Sequence, residues 1–316
     1  MFLALASLAM VPLAHAQSAP VETDMTAPGP LGVLAGTLID PDAKAPLLVI
    51  IPGSGPTDRN GDNALGVSGG PYRRLAQALA ARGVATVRID KRGMFGSRAA
   101  VADANAVTIA DYAVDAHAWA DAMRKRTGRA CVWLAGHSEG GLVALQAAQD
   151  ARGICGVVLI SAAGRPLGTV MREQFRANPA NTPILAPALG MVDAFEAGRH
   201  VDPASLPQPL SMLFPDSVQN YLIDMFRYDP PKLAAKLHVP MLIVQGDRDV
   251  QVRLTDAQAL SKSAPAAKLA VIPGMTHVLR TAPGETPGAS LATYRDISLP
   301  VSPGLVDAIA GFVVKP

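Results

Sequence analysis

Residues 131–145 read CVWLAGHSEGGLVAL, and this stretch gives the strongest indication of the fold. It begins with a mostly apolar run, as a buried strand does, and ends with apolar residues that suit the start of a helix. Between them lies Gly136-His137-Ser138-Glu139-Gly140, a G-x-S-x-G motif. At a sharp strand-to-helix turn only glycine fits two residues before and after the serine, because a side chain would collide with the neighbouring backbone. The stretch therefore predicts a nucleophile elbow, with the Ser138 hydroxyl exposed at a helix N-terminus.

Five further apolar runs resemble this strand, and each ends in a turn that carries Gly, Ser or Asp. They occupy residues 47–51, 84–89, 156–160, 241–244 and 268–272. The runs show little alternation, as expected of parallel strands that are buried on both faces. Helix-like stretches separate or follow them, at residues 72–82, 109–126, 142–151, 255–263 and 303–313. This order predicts an α/β fold with a mostly parallel central sheet flanked by helices.

One interval interrupts the alternation of strands and helices. Residues 164–236 contain no clear strand and are rich in Pro, Met, Leu, Phe and Ala. Because the pattern resumes afterwards, we expect a helical cap inserted into a core formed by residues 31–163 and 237–316. The Met and Phe side chains of the insertion form the cap's own core or line an apolar acyl pocket. A separate small domain is the alternative.

The first segment has the features of a secretory signal peptide. An apolar run over residues 1–14 precedes the cleavage pattern Ala14-x-Ala16, and it is shorter than the ~20 residues of a membrane span. We therefore exclude residues 1–16 from the fold and expect residues 17–30 to form a flexible leader. The mature chain is expected to be exported, periplasmic or extracellular, with no stable membrane insertion.

Composition excludes several classes of protein. The chain has 28 Lys and Arg against 26 Asp and Glu, a formal charge of +2, so it carries no electrostatic footprint for nucleic acid. With 49% hydrophobic and 17% charged residues it is not a disordered chain. Two cysteines exclude a multi-cysteine metal site. Asp58 stands where a G-x-G-x-x-G motif starting at Gly53 needs its third glycine, so a nucleotide cofactor is not expected, and neither is a metal.

A serine nucleophile needs a general base, which follows it in the chain in this architecture. His277 lies just after the run 268–272, at the carboxyl edge of the predicted sheet, where active sites of open parallel sheets lie. His200 falls in the expected cap, and His238 precedes a strand and so belongs at the opposite end of the sheet. His277 is therefore the predicted base.

The acid that orients the base is expected after the run 241–244, where Asp247 and Asp249 both stand. Asp249 is preferred, because its spacing in the loop lets it reach across toward the histidine. Asp247 is the alternative acid, and otherwise pairs with Arg248 in solvent.

An oxyanion hole needs two N–H donors directed at one point. One is expected from Glu139, which directly follows the nucleophile. The other is expected from the small-residue loop after residues 47–51, with Ser54 preferred and Gly55 next. Charged residues after two strands, Asp58 and Arg92, form an ion pair that holds this loop, or are solvated charges that contribute little.

Cys131 and Cys155 each begin a predicted strand, and these two strands should be neighbours. In register, their Cα atoms fall within the ~4.4–6.8 Å that a disulfide requires, and export favours the bridge. Two buried thiols are slightly preferred, because regular parallel pairing is often poor for bridging.

The runs IPGSGPTDRNGDN, RIDKRGMFGS, GHSEGG, VPMLIVQGDRDVQV and VIPGMTHVL resemble the α/β-hydrolase superfamily over residues 47–314. Within it, they are similar to exported bacterial hydrolases of the serine-aminopeptidase-like or carboxylesterase-like branch. The resemblance implies a Ser138–Asp249–His277 triad, a cap domain and no cofactor. Many such proteins have a neutral residue at the position of Asp247, so this chain carries an additional carboxylate near the acid loop.

Ester hydrolysis through an acyl-enzyme on Ser138 is the predicted function, with a small-molecule ester as substrate. One alternative keeps the triad but cleaves an amide, as an aminopeptidase does, with acidic cap residues binding the free amino terminus. The candidates for that role are Glu173, Asp193, Glu196, Asp202, Asp216 and Asp224. An alternative of another class is a non-catalytic binding protein on a hydrolase fold.

Overall fold

The computed structural model describes residues 20–64 and 66–314, and the expected signal peptide lies outside this part of the chain. Within it, eight strands form one sheet in the order β1-β2-β4-β3-β5-β6-β7-β8. The strands are β1 (Glu22–Pro28), β2 (Val33–Ile39), β3 (Leu47–Ile51), β4 (Ala85–Ile89), β5 (Val132–His137), β6 (Ile154–Ile160), β7 (Met241–Gly246) and β8 (Lys268–Ile272). Strands β3 to β8 pair in parallel with one another, whereas β2 pairs antiparallel with both of its neighbours, β1 and β4. The predicted α/β fold with a mostly parallel sheet is confirmed.

Helices cover both faces of this sheet. They are α1 (Pro71–Ala80), α2 (Ile109–Thr127), α3 (Glu139–Ala147), α4 (Leu167–Ala177), α5 (Leu185–Glu196), α6 (Gln208–Leu213), α7 (Asp216–Phe226), α8 (Pro230–Ala235), α9 (Leu254–Ser263), α10 (Pro287–Ala292) and α11 (Pro303–Val313). Alternate residues of β3 enter opposite cores: Val49 packs with residues of α2, α3 and α9, and Leu48 packs with residues of α1 and α11. Burial on both faces explains why these strands read as continuous apolar runs.

The expected flexible leader is wrong for half of its length, because Glu22–Pro28 is strand β1. All seven of its residues pair with β2. Glu22 also accepts a 2.6 Å bond from Arg88, whose side chain is fully buried. The strand escaped prediction because its sequence, ETDMTAP, is polar and lies at the exposed edge of the sheet. Strand β2 was missed as well, because Gly36 interrupts its apolar pattern. A Cβ at Gly36 would lie 2.7 Å from the Trp119 ring.

Residues 164–236 contain five helices, α4 to α8, and no strand. Helices α4, α5 and α7 enclose a small core of their own around Met171, Met191 and Phe195. Helix α8 differs from them, because its Ala234 is buried in the core of the central sheet. The region expected to form the cap, residues 164–236, thus contacts the core of the central sheet through Ala234 of α8 and through Tyr221 and Met225 of α7. In the described part of the chain, no helix has the length and apolarity to cross a bilayer.

Cys131 and Cys155 form a disulfide, with Cα atoms 5.2 Å apart. The preference for two thiols rested on regular parallel pairing, and the pairing here is irregular. Val132 pairs with Ile154 and Trp133 with Gly156, so that Cys155 is an extra residue in β6. This bulge shifts Cys155 out of the regular register and beside Cys131.

Removing this bridge should destabilise the protein. The two cysteines are 24 positions apart, and a loop of that size corresponds to about 3.5 kcal/mol of unfolding free energy in the chain-entropy model. We expect the variant Cys131→Ala/Cys155→Ala to lose about this amount in urea unfolding. Wild-type protein unfolded with a reductant should match the variant, which itself should not respond to the reductant. Equal stability of the oxidised and reduced wild type would contradict the prediction.

Candidate active site

Ser138 occupies a strained turn between strand and helix. Strand β5 ends at His137, helix α3 begins at Glu139, and Ser138 between them has φ 53° and ψ −120°. Positive φ is costly for a residue with a side chain and persists only where the surroundings enforce it. Here the Ser138 N–H donates to the Ile160 carbonyl at 2.9 Å, and the Ser138 carbonyl accepts from the Gly141 N–H at 3.0 Å. The elbow is thus held by β6 on one side and by the first turn of α3 on the other.

The two motif glycines are required by close backbone contacts. A Cβ at Gly136 would lie 2.0 Å from the Gly140 carbonyl oxygen, and a Cβ at Gly140 would lie 2.3 Å from the Ile51 carbonyl oxygen. Neither clash is with a flexible side chain, so neither could be relieved by a rotamer change. The steric expectation for the G-x-S-x-G motif is confirmed.

His277 pairs with Asp249 in the loops that follow β8 and β7. The imidazole Nδ1 lies 2.8 Å from Asp249 Oδ2, and both side chains are buried. Asp249 Oδ1 accepts the backbone N–H groups of Gln251 and Val252, each at 2.9 Å. Burial alone would raise the pKa of Asp249, but the His277 imidazole and these N–H donors outweigh it and lower the pKa, so the carboxyl is ionised at neutral pH.

Ser138 and His277 line the same cavity of about 220 Å³ at the carboxyl edge of the sheet. Ser54, Tyr72 and Tyr294 line it as well. The structure thus brings the predicted nucleophile and base together, although 139 positions separate them in the chain. The loop after β3 passes close to Ser138 at Gly53, where a Cβ would lie 3.2 Å from Ser138 Cβ.

The predicted oxyanion donors divide between two cavities. Ser54 lines the Ser138 cavity and also a second cavity under the cap, whereas Gly55 and Glu139 line only the second. The Glu139 N–H belongs to the first residue of α3, where helical N–H groups have no intrahelical partner. Within residues 20–64 and 66–314, neither the Ser54 N–H nor the Glu139 N–H donates to a protein acceptor. Both N–H groups are therefore available to a developing oxyanion.

The expected ion pair between Asp58 and Arg92 does not form. Asp58 Oδ1 closes its own turn by accepting the N–H groups of Asn60 at 2.8 Å and Asp62 at 2.9 Å. Arg92 faces α2 instead, where its guanidinium binds both oxygens of Asp115 at 2.7 and 2.6 Å. Sequence proximity to the site suggested a pair, but each side chain finds its partner on a different element.

Asp247 also has a different role from either one expected. Its Oδ1 accepts the Gly274 N–H at 2.7 Å, which ties the loop after β7 to the loop after β8. Arg248 does not pair with it and instead contacts Glu285 at 2.8 Å. The structure therefore places Asp249, and not Asp247, against the base.

A buried chain of hydrogen bonds that the sequence did not reveal joins the loops after β3 and β8 through α1 and the end of β5. Tyr72 Oη lies 2.7 Å from His137 Nδ1, and His137 Nε2 lies 2.8 Å from the His277 carbonyl oxygen. Because a carbonyl only accepts, His137 Nε2 carries the proton; its neutral Nδ1 then accepts from Tyr72 O–H, whose oxygen accepts the Gly53 N–H at 3.2 Å. The directions of all three bonds follow from this one constraint. The one sign of this chain of hydrogen bonds in the sequence was the histidine directly before Ser138.

His137 makes the stability of the fold depend on pH. Burial and the neighbouring His277 lower the pKa of His137 from 6.5 to about 3. Between these two pH values the unfolded chain binds a proton at this position and the native protein does not, so stability falls as pH falls through this window. From this group alone, the free energy of unfolding should drop by up to about 1.4 kcal/mol per pH unit.

Urea unfolding at several pH values between 7 and 4 measures this slope. In His137→Gln, where the amide supplies one donor and one acceptor without titrating, we expect the slope to be smaller by about one proton. The exposed His238→Gln is the matched control and should keep the wild-type slope. Equal slopes for His137→Gln and wild type would contradict the assignment.

The second cavity, of about 370 Å³, lies between the sheet and the cap. Its walls include Leu167, Met171, Phe214, Leu222 and Met225, so it is largely apolar. The Met and Phe side chains of this region were expected either to form the cap core or to line a pocket. Met171, Phe214 and Met225 line this cavity, and Met191 and Phe195 are buried in the cap core. Ser54 lines both this cavity and the one that Ser138 lines.

Comparison with known proteins places this geometry in a family. The model of the Alpha/beta hydrolase family matches residues 48–291. Esterase EstD of Thermotoga maritima is 24% identical over 303 residues, which cover 93% of this chain and 68% of that protein. Est1E from Butyrivibrio proteoclasticus, solved with ferulic acid bound, has a TM-score of 0.57 at 21% identity, over 92% of this chain and 100% of that one. The esterase Pf2001 of Pyrococcus furiosus has a TM-score of 0.55 at 14% identity, over 93% of both chains.

The matched residues run from β3 into α10 and so include the elbow, the acid loop and the base loop. The solved structures share the fold with this chain. With a family model that covers this much of its length, the chain belongs to the alpha/beta hydrolase family.

Proposed function

We propose that this chain is a serine hydrolase that cleaves carboxylic esters through an acyl-enzyme on Ser138. The observation that carries the proposal is that Ser138 and His277 line one cavity, while Asp249 is hydrogen-bonded to Nδ1 of the His277 imidazole. Asp249 holds the proton on Nδ1, which leaves Nε2 free to accept the Ser138 proton. The named relatives that are called esterases support the same activity.

The reaction follows from these positions. His277 takes the Ser138 proton as the serine oxygen attacks the ester carbonyl, and the Ser54 and Glu139 N–H groups stabilise the oxyanion. The imidazolium then gives its proton to the departing alcohol. Water, activated by the same imidazole, attacks the acyl-enzyme and releases the carboxylic acid.

The charges of the cap favour an ester over the free amino terminus that an aminopeptidase binds. None of the six acidic cap candidates lines either of the two cavities at the site, as the described residues define them. Five of them are engaged by partners within the protein: Glu173 by Arg165, Asp193 and Glu196 by Arg172, Asp216 by His200, and Asp224 by the Ile109 N–H. Asp202 caps a short helical turn. The apolar cavity under the cap suits an apolar acyl group instead.

Matched substrates test the choice between ester and amide. We expect p-nitrophenyl acyl esters to be hydrolysed and aminoacyl p-nitroanilides to be turned over at least about 100-fold more slowly. A fluorophosphonate probe should label wild type and not Ser138→Ala. Faster anilide cleavage would favour the aminopeptidase, and a folded wild type that neither labels nor hydrolyses esters would favour the non-catalytic binding protein.

We propose further that the mature chain is exported. The apolar run before Ala14-x-Ala16 supports this proposal, and a disulfide suits an oxidising compartment. Intact-mass analysis of protein from the periplasmic fraction of an expression host should find a chain that begins at Gln17. A full-length chain retained in the cytoplasm would contradict export.

A further inference from the structure

A buried ion pair lies between the two peptides that carry the oxyanion donors. Lys91 Nζ is 3.0 Å from Glu139 Oε1 and 2.8 Å from the Gly53 carbonyl oxygen, and both charged side chains are only 2% exposed. The ring of Tyr112 covers the third side of the ammonium, with its centroid 5.2 Å from Nζ. The ammonium is therefore held by two hydrogen bonds, one to a carboxylate and one to a carbonyl, and lies over one aromatic ring.

The Gly53 carbonyl belongs to the same peptide unit as the Ser54 N–H. No cis peptide bond occurs in the described residues, so this carbonyl and this N–H point in opposite directions. When Lys91 holds the oxygen, it also fixes the direction of the Ser54 N–H. The Gly53 N–H, in the preceding peptide unit, donates to the Tyr72 hydroxyl at 3.2 Å, so both peptide units that flank Gly53 are held.

The second contact of Lys91 reaches the other donor residue. Glu139 supplies its backbone N–H to the predicted oxyanion hole and its side chain to the ammonium. Strand order explains how one lysine reaches both: Lys91 follows β4, Gly53 follows β3, Glu139 follows β5, and these strands are adjacent in the order β4-β3-β5. The Lys91 side chain reaches across the loop that follows β3, the middle strand of these three.

We infer that Lys91 is a positioning residue that holds the two oxyanion donors, the Ser54 and Glu139 N–H groups, in a fixed geometry with respect to Ser138. The inference rests on the proposed function and adds a residue to it. Lys91 does not touch the reacting atoms. Its effect is on the transition state, because the donors are needed where the oxyanion develops and much less in the ground-state complex.

The test replaces the pair without leaving a buried charge alone. We expect Lys91→Met/Glu139→Gln to lower kcat for a p-nitrophenyl ester by about 10- to 100-fold, since a donor displaced by an ångström loses much of its effect. KM should change by less than about threefold. Affinity for an aryl boronic acid, which forms a tetrahedral adduct on the serine, should weaken in parallel with kcat/KM, while affinity for the product carboxylate stays near the wild-type value.

The pair of Arg129 and Asp40 is the matched control. Arg129 also joins a carboxylate to a backbone carbonyl, at 2.8 Å from Asp40 and 2.7 Å from the Ala45 oxygen, but at the opposite edge of the sheet. Arg129→Met/Asp40→Asn should lower the melting temperature and keep kcat within about twofold. Equal losses of kcat in both double variants would overturn the positioning role.

A second variant keeps the inference testable if the double variant fails to fold. Lys91→Arg keeps the buried charge but places its nitrogens differently, so we expect kcat to fall at least about tenfold with KM retained. Wild-type kcat in any folded variant at Lys91 overturns the inference. A wild-type protein without esterase activity and without fluorophosphonate labelling would instead overturn the proposed function, so the two failures are distinguishable.

Discussion

Replacing Ser138 by alanine is expected to lower kcat for ester hydrolysis by about 10⁴- to 10⁶-fold. In the proposed mechanism this hydroxyl is the attacking group, and it shares its cavity with the base His277. The fold should be unaffected, because serine and alanine both carry a Cβ and the strain at φ 53° is the same for either. Steady-state kinetics and thermal unfolding of the purified variant measure the two quantities.

Ser161 offers a control with similar local geometry. It follows β6, has φ 46° and is fully buried, but it does not line either cavity at the site. Ser161→Ala should keep kcat within about twofold. Combining Ser138→Ala with His277→Ala should cost little more than Ser138→Ala alone, because the two side chains act as one unit. Residual activity above about 1% in Ser138→Ala would show that the nucleophile lies elsewhere.

Asp249→Asn should lower kcat by about 10³- to 10⁴-fold with little effect on KM. The asparagine carbonyl would keep the two backbone donors of Gln251 and Val252, which turns its NH₂ group toward His277 Nδ1. An N–H donor at that place stabilises the imidazole tautomer whose proton is on Nε2. That nitrogen then cannot accept the Ser138 proton. Gln245 Nε2 lies 3.2 Å from Asp249 Oδ2, the oxygen that faces His277. In the variant, the asparagine NH₂ group at this place would therefore also face the N–H donor of Gln245.

Asp247→Asn is the discriminating comparison, since both carboxylates were candidates for the acid. An asparagine there still offers an oxygen to the Gly274 N–H, so kcat should fall less than about tenfold. Kinetics of the two variants on one ester settle the assignment. A larger loss for Asp247→Asn than for Asp249→Asn would show that the acid is misassigned.

Several features followed from the sequence because their causes are local. Strands buried on both faces need continuous apolar runs, so β3 to β7 were found at nearly their observed bounds, and the edge strand β8 was found from its own apolar run. The glycines beside Ser138 are dictated by backbone contacts within a single turn and its neighbouring strand end. Strand β1 was missed for the same reason: its polar sequence gives no local signal, and its stability comes from pairing along β2 and from the buried partner of Glu22.

The order of the elements, the elbow and the small set of histidines and aspartates from which a base and an acid could be chosen were all readable in the sequence. Which charged groups meet depended on the three-dimensional arrangement. It placed Asp249 against His277, turned Arg92 toward α2, and set Lys91 between Gly53 and Glu139. The reason is physical: periodicity and turn geometry act over a few residues, whereas the partner of a buried charge depends on which strands are neighbours in the sheet.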